Sequence, residues 1–426
     1  MNRSLAPEIS LMESFDYLKA ERLAQIKQLP VYYIGGSEEA VVKMELLFDA
    51  GYRYQKKALQ ASAVNALLVE GSKGKSAKAI AEFFENRGAF LNTSLHADYA
   101  SVQLHCLSRQ IGELLPYLLE LLQTVTFPEE ELEDWLNRKK QKFAINQEKV
   151  SYLAKNAFVP ALLGEAHPYN NAVSARSFES LSQQDLIEFY QQYYQNKPFT
   201  VLLSGQISEE QMGSLSVHLE GLEIEPSAAI AEASLPAVNS SLDLVQLEKP
   251  AASQSALKMG KLMPNKGHAD FPALFFANTI LGGYFGSRLM NNLREDKGYT
   301  YGVGSGLIAY KGLAYFVLST EIGAQHTQPA LNEIEKEMLR LTQEPLDADE
   351  LETVKQYLQG SLMRNFDGPF AAMDRFKSLH VLGLDYDYYD QLIHDFKGMT
   401  AKRLLQIFQR YFQFNDLTKV VAGKIS

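Results

Sequence analysis

Cysteine is nearly missing from the chain, with Cys106 the single thiol among 426 residues. No intrachain disulfide can form, and no cysteine-rich zinc site can be assembled. An excess of positive charge is missing as well. Lys and Arg number 41 against 51 Asp and Glu, a net charge of −10. That balance argues against nucleic acid or an anionic membrane as the main partner. No run reaches the roughly 20 apolar residues that a membrane helix needs. No apolar stretch follows Arg3, so a secretory signal is not expected and a cytoplasmic location is. The histidines at 96, 105, 167, 218, 268, 326, 380 and 394 are never three or four residues apart. A helix therefore cannot offer two imidazoles one turn apart to a metal.

What is present describes a folded protein. Hydrophobic residues make up 46% and charged residues 22%, enough apolar surface to offset the chain entropy lost on folding. The length suits two or three domains. An internal repeat then divides it. Leu186–Gln195 (LIEFYQQYYQ) matches Leu404–Gln413 (LLQIFQRYFQ), 218 positions later. The same offset pairs Phe178 with Phe396, Ser182 with Thr400, Thr200 with Thr418 and Gly205 with Gly423. Glu131-Leu132-Glu133 matches Glu350-Leu351-Glu352 one position further on. So long a period indicates a duplicated domain rather than a solenoid.

In each copy a hydroxyl (Ser182, Thr400) stands where a helix N-cap belongs, and an amphipathic helix and a short strand follow. Val42, Met44, Leu46 and Phe48 alternate with Lys43, Glu45, Leu47 and Asp49, the pattern of a strand buried on one face. Ala100–Leu107 alternates likewise and places Cys106 on the apolar face as a structural thiol. Ala314–Gly323 is the corresponding strand of the second copy. These patterns predict an α+β fold: two homologous domains from an internal duplication, each a mainly antiparallel sheet with helices packed on one face. The expected domains are 1–225 and 245–426, joined by an Ala/Ser/Pro-rich linker at 226–244.

Two glycine motifs carry no nucleotide chemistry. Gly71-Ser72-Lys73-Gly74-Lys75-Ser76 lacks the upstream glycine of a phosphate-binding loop, since position 69 is Val69. It reads as a turn before a helix capped by Ser76 and ended by Gly88. Gly282-Gly283 fails the dinucleotide spacing and reads as a tight turn between helices or a close backbone approach.

Other segments carry a resemblance. They are Leu67–Ser72, Gly88–Asn92, Phe127–Leu132 and His167-Pro168-Tyr169 in the first half. In the second they are Leu281-Gly282-Gly283, Ser287-Arg288-Leu289 and Leu293–Tyr301. Through these the chain resembles the insulinase/pitrilysin-type metallopeptidases, which include the mitochondrial processing peptidases and the core subunits of the bc1 complex. Active members of that family carry H-x-x-E-H, whose histidines bind zinc and whose glutamate is the general base. Aligned on Leu67–Ser72, the motif falls on Ser62, Asn65 and Ala66, which keep none of its three functional residues. The third ligand would fall near Gln141 or Lys142, on a helix with Arg138, Lys139 and Lys140 but no acid from Trp135 to Gln147. A cationic face there repels Zn²⁺. No metal is therefore expected in this chain, and zinc only in a partner.

The resemblance further implies that Arg294 and Tyr301, seven residues apart, reach a substrate carbonyl and the oxyanion formed from it. An Arg294 ion pair with Glu295 or Asp296 and a core tyrosine would have the same spacing. The family's peptide-binding edge falls on Leu91, Asn92, Thr93 and Ser94. The expected function is that of a metal-free subunit, inactive alone, which pairs with a zinc-bearing homologue and binds peptide in a shared chamber. The alternatives are a scaffold subunit without a role in proteolysis, or a peptide-binding homodimer.

Overall fold

A computed structural model describes residues 16–23, 26, 29–225 and 244–424. Residues 226–243, most of the expected linker, lie outside the described residues, and Leu244 is the first residue of a strand. The first half runs β1 (Glu21–Arg22), β2 (Val31–Ile34), β3 (Val41–Phe48), α1 (Gln60–Leu67), β4 (Gly71–Ser72), β5 (Lys75–Ser76), α2 (Ala77–Glu85), β6 (Phe90–Leu95), β7 (Ala100–Leu107), α3 (Ile111–Gln123), α4 (Glu129–Gln147), α5 (Val150–Leu163), α6 (Gln183–Tyr193), β8 (Thr200–Gly205) and α7 (Glu209–Glu220). The second runs β9 (Leu244–Glu248), β10 (Gln254–Met263), α8 (Phe271–Asn278), β11 (Thr300–Ala309), β12 (Ala314–Gly323), α9 (Thr327–Gln343), α10 (Ala348–Arg364), α11 (Gly368–His380), α12 (Asp387–Gly398), α13 (Ala401–Tyr411) and β13 (Thr418–Gly423).

Local chemistry accounts for the boundaries. The Ser182 hydroxyl accepts from the Asp185 N–H to start α6, and that of Thr400 accepts from the Arg403 N–H to start α13. Ser76 caps α2, and Gly88 follows that helix at φ +64°. Gly205 and Gly423 close β8 and β13 at φ +114° and +147°. A Cβ on Gly205 would lie 2.2 Å from the Val41 carbonyl oxygen, so only glycine fits.

The two sheets share one topology. In order, the first is β1-β2-β8-β3-β7-β6 and the second β9-β13-β10-β12-β11. In both, the first strand of the shared set runs parallel to the last strand in sequence (β2 with β8, β9 with β13), and the remaining pairs are antiparallel. The duplication legible in the sequence is thus a duplication of fold. Cys106 lies in the first core, where burial pushes its thiol up to about 12.

The halves also exchange helices. α5 packs across β10 and β13 of the second sheet, and α11 packs on β8 and β2 of the first. Val150 and Gly368, where these helices begin, are 218 positions apart, the offset of the repeat. Phe158 of α5 shares a core with Ala256, Tyr315 and Val420. Ile34, Leu47 and Leu202 of the first sheet belong to the core of the second half.

This exchange corrects one expectation. Lys43 and Glu45 were expected on an open strand face, yet they are 7% and 1% exposed. α11 covers that face and supplies their counterions. Lys43 Nζ reaches Asp374 Oδ1 at 2.8 Å, and Lys377 Nζ reaches Glu45 Oε2 at 2.9 Å. A polar residue in a strand marks an open face only when no ion partner arrives from elsewhere in the chain.

Candidate functional site

The degenerate motif lies on α1, entered through Leu59 in the left-handed conformation (φ 72°). α1 packs against β6, α4 and α6, so the helix that carries Ser62, Asn65 and Ala66 stands beside the strand that carries Leu91–Ser94. Ser62 and Ala66, one turn apart, are half-buried. Asn65 is 4% exposed and lies beside the buried Tyr194 hydroxyl. A hydroxyl, an amide and a methyl group are a poor donor set for Zn²⁺, which takes imidazole, thiolate or carboxylate.

The neighbouring helix does not repair the deficit. Gln141 and Lys142 of α4 are exposed. Lys139 sits with its ammonium 5.2 Å over the Trp135 ring, its pKa lowered by burial and then by Lys142. The acids that interact closely here are Glu70 and Glu131. Burial and then Glu131 raise the Glu70 pKa, and Arg138 opposes them. The sequence did not reveal this pair, which no motif spacing links. Among the described residues no group of three or more His, Cys, Asp or Glu is placed to hold a metal ion. The residues at the ancestral site do not fit zinc.

Among the described residues β6 is the outermost strand of its sheet and pairs only with β7. Its far side therefore offers backbone N–H and C=O groups to an added strand. Asn92 is exposed on it, Phe90 is 68% exposed, and the Ser94 hydroxyl is 2.8 Å from that of Ser101.

Arg294 and Tyr301 lie in the second half. Arg294 is in a π-helical segment, Met290–Asp296, and Gly298 (φ +63°) makes the turn into β11. Gly282 packs close to that strand, where an added Cβ would lie 2.6 Å from Ser305 Oγ. Tyr301, on the outermost strand of the second sheet, is 93% exposed. It is no core tyrosine. The Arg294 guanidinium lies 4.7 Å over the Phe285 ring, and its Nε is 3.5 Å from Glu295 Oε1. Among the described residues no hydrogen bond or ion pair joins Arg294 to Tyr301, or either of them to α1 or β6.

His167-Pro168-Tyr169 serves the seam between the halves. Tyr169 is buried and donates to Asp98 Oδ1 at 2.6 Å, and Arg53 Nη1 donates to both groups at 2.8 Å. Asp98 Oδ2 accepts from the Lys311 backbone N–H at 2.9 Å. The β11–β12 turn of the second half is thereby fastened to the first.

A duplicated α+β unit, with an outermost strand beside a helix that offers no metal ligand at Ser62, Asn65 or Ala66, fits a degenerate member of a two-domain peptidase family. Comparison with known proteins agrees. The family profile described as "Insulinase (Peptidase family M16)" matches residues 32–166, and "Peptidase M16 inactive domain" matches 180–358. The chain belongs to the M16 peptidase family and is a non-catalytic member of it. It is 24% identical to "Uncharacterized zinc protease YmxG" of Bacillus subtilis over 353 residues, 81% of this chain and 84% of that one. It is 22% identical to "Non-peptidase homolog YmxG" of Helicobacter pylori over 361 residues, 84% and 82% of the two chains. A solved structure described as a peptidase M16 inactive domain from Pseudomonas fluorescens superposes with a TM-score of 0.84 at 23% identity, covering 96% of this chain and 98% of that one. No helix among the described residues is long and apolar enough to cross a membrane.

Proposed function

We propose that this chain is the metal-free subunit of a two-chain M16 peptidase, pairing with a zinc-bearing homologue and binding extended peptide in a shared chamber. The partner supplies zinc, its ligands and the general base. This chain supplies chamber wall and the β6 edge at Leu91–Ser94. Arg294 and Tyr301 act as donors to the charge that develops on the partner's tetrahedral intermediate, where preorganised donors act most strongly.

The observation that carries this reading is the exposure of Tyr301, 93% in the isolated chain and on an open sheet edge. A phenol held in solvent contributes little to this chain's own stability and is available to a second molecule. The pairing of Arg294 with Glu295 favours the scaffold alternative, in which the family pair has become ordinary surface; the same chemistry would serve a peptide-binding homodimer.

The test is co-purification with a zinc-bearing M16 homologue from the same genome, followed by peptidase assays of each chain alone and mixed. The mixture should exceed the sum of its parts. Tyr301→Phe should then lower kcat with assembly intact, on the order of 10²- to 10³-fold where the donor is fully engaged. Arg294→Lys should also fail, because an ammonium lacks the planar fork. Full activity in both variants would establish the scaffold role instead.

A further inference from the structure

Away from α1, β6 and Arg294, a cavity of about 380 Å³ lies between the two halves. The β6–β7 turn (His96–Tyr99) forms one wall, and β11, α8, α10, α11 and α12 form the others. Its lining is largely apolar and aromatic, including Phe271, Phe275, Leu362 and Phe396, and it holds two cations, Lys266 and Arg375. Its size falls within the usual range of small-molecule sites, roughly 300–1,000 Å³.

The two cations lack counterions. Among the described residues neither Lys266 nor Arg375 takes part in an ion pair, whereas the adjacent Lys377 and Lys43 both do. Asp98 is the carboxylate on the wall, and both its oxygens are already engaged by Arg53, Tyr169 and the Lys311 N–H. Lys266 Nζ rests 4.9 Å from the Tyr388 ring centroid. Burial, and then the charge of Arg375, push its pKa down to about 8, and no acid offsets them. Two like charges facing an apolar cavity without an anion are costly unless a ligand brings one.

We infer that this cavity binds a small amphipathic monocarboxylate, with its carboxylate between Lys266 and Arg375 and its apolar part along Phe271, Phe275, Leu362 and Phe396. The same chemistry is offered by a medium-chain fatty acid and by the free C-terminus of a short apolar peptide. Two electrostatically coupled cations on the cavity wall select the anion. The absence of a free carboxylate disfavours an amine, and the apolar walls reward a chain or a ring.

Calorimetry and thermal shift on the full chain test this with octanoate, octanol and octylamine, and with an apolar tripeptide as free acid and as amide. Octanoate or the free-acid tripeptide should bind at one site and raise Tm, and whichever binds identifies the source. The neutral, cationic and amidated analogues should bind at least about tenfold more weakly, the loss expected for a charge-assisted hydrogen bond. Lys266→Met should fold at least as stably without ligand, since it removes a half-buried charge that no ion pair compensates among the described residues, and should lose the response. Arg375→Gln, which removes the other cation of the cavity, gives a second reading should the first variant misfold. The inference is overturned if neither acid binds, if octanol binds as well as octanoate, or if Arg375→Gln retains full affinity.

Discussion

Lys377 of the second half donates to both carboxylate oxygens of Glu45 in the first, at 2.9 and 3.1 Å, and Glu45 is 1% exposed. Gln103 Nε2 donates to the same carboxylate at 3.0 Å, so its buried acceptors are well supplied. This pair crosses the seam made by the exchanged helix α11.

Removing one partner should therefore cost far more than removing both. Lys377→Met leaves the Glu45 charge buried and should destabilise the chain by about 3–5 kcal/mol. Adding Glu45→Leu should recover most of that loss. Urea denaturation of the two variants decides the point, and a single variant as stable as the parent would show that the pair carries little.

Asp374, on the solvent side of the same network, should show its contribution through pH. Burial alone would raise its pKa, but hydrogen bonds from Lys43 and Lys377 and their charges hold it below the usual 3.8. A depressed acid stabilises the fold above its unfolded pKa, and that stabilisation is lost as pH falls through the folded value. Asp374→Asn should thus be less stable than the parent at pH 6, and the gap should narrow below about pH 4. A constant gap across Tm measurements from pH 6 to 3 would contradict this.

Two glycines should respond oppositely to alanine. Gly205→Ala puts a Cβ 2.2 Å from the Val41 oxygen at φ +114° and should cost more than about 1 kcal/mol. Gly213, inside α7 with nothing within 4 Å of an added Cβ, should gain about 0.5–1 kcal/mol as alanine. Equal midpoints in a denaturation series would refute the backbone argument.

Elemental analysis should find no stoichiometric zinc tied to residues 62–66, because Ser62, Asn65 and Ala66 do not form a donor set for it. About one tightly held zinc per chain, lost on mutating those residues, would overturn this.

Much of the fold was legible because it rests on local chemistry. Ser182 and Thr400 announce their helices through a hydroxyl beside an orphan N–H, and the 218-residue offset survives because both copies keep the same caps and strand ends. The lack of donor side chains at Ser62, Asn65 and Ala66 was legible as well, since a methyl group at position 66 cannot ligate in any conformation. The seam was not legible. The Asp98–Tyr169–Arg53 cluster and the Glu45–Lys377 pair join residues up to 332 positions apart, and side-chain alternation reports only whether a strand face is apolar.

The sequence by itself determined the duplicated α+β plan, the burial of Cys106 and the absence of metal ligands on α1, because each follows from residue type and short-range spacing. Tertiary structure alone decided that the halves trade α5 and α11, that Lys43 and Glu45 are buried, that Tyr301 stands in solvent and that Lys266 and Arg375 share a cavity. Those outcomes depend on which surfaces meet when two sheets and their crossing helices pack, and long-range packing leaves no fixed spacing in the chain.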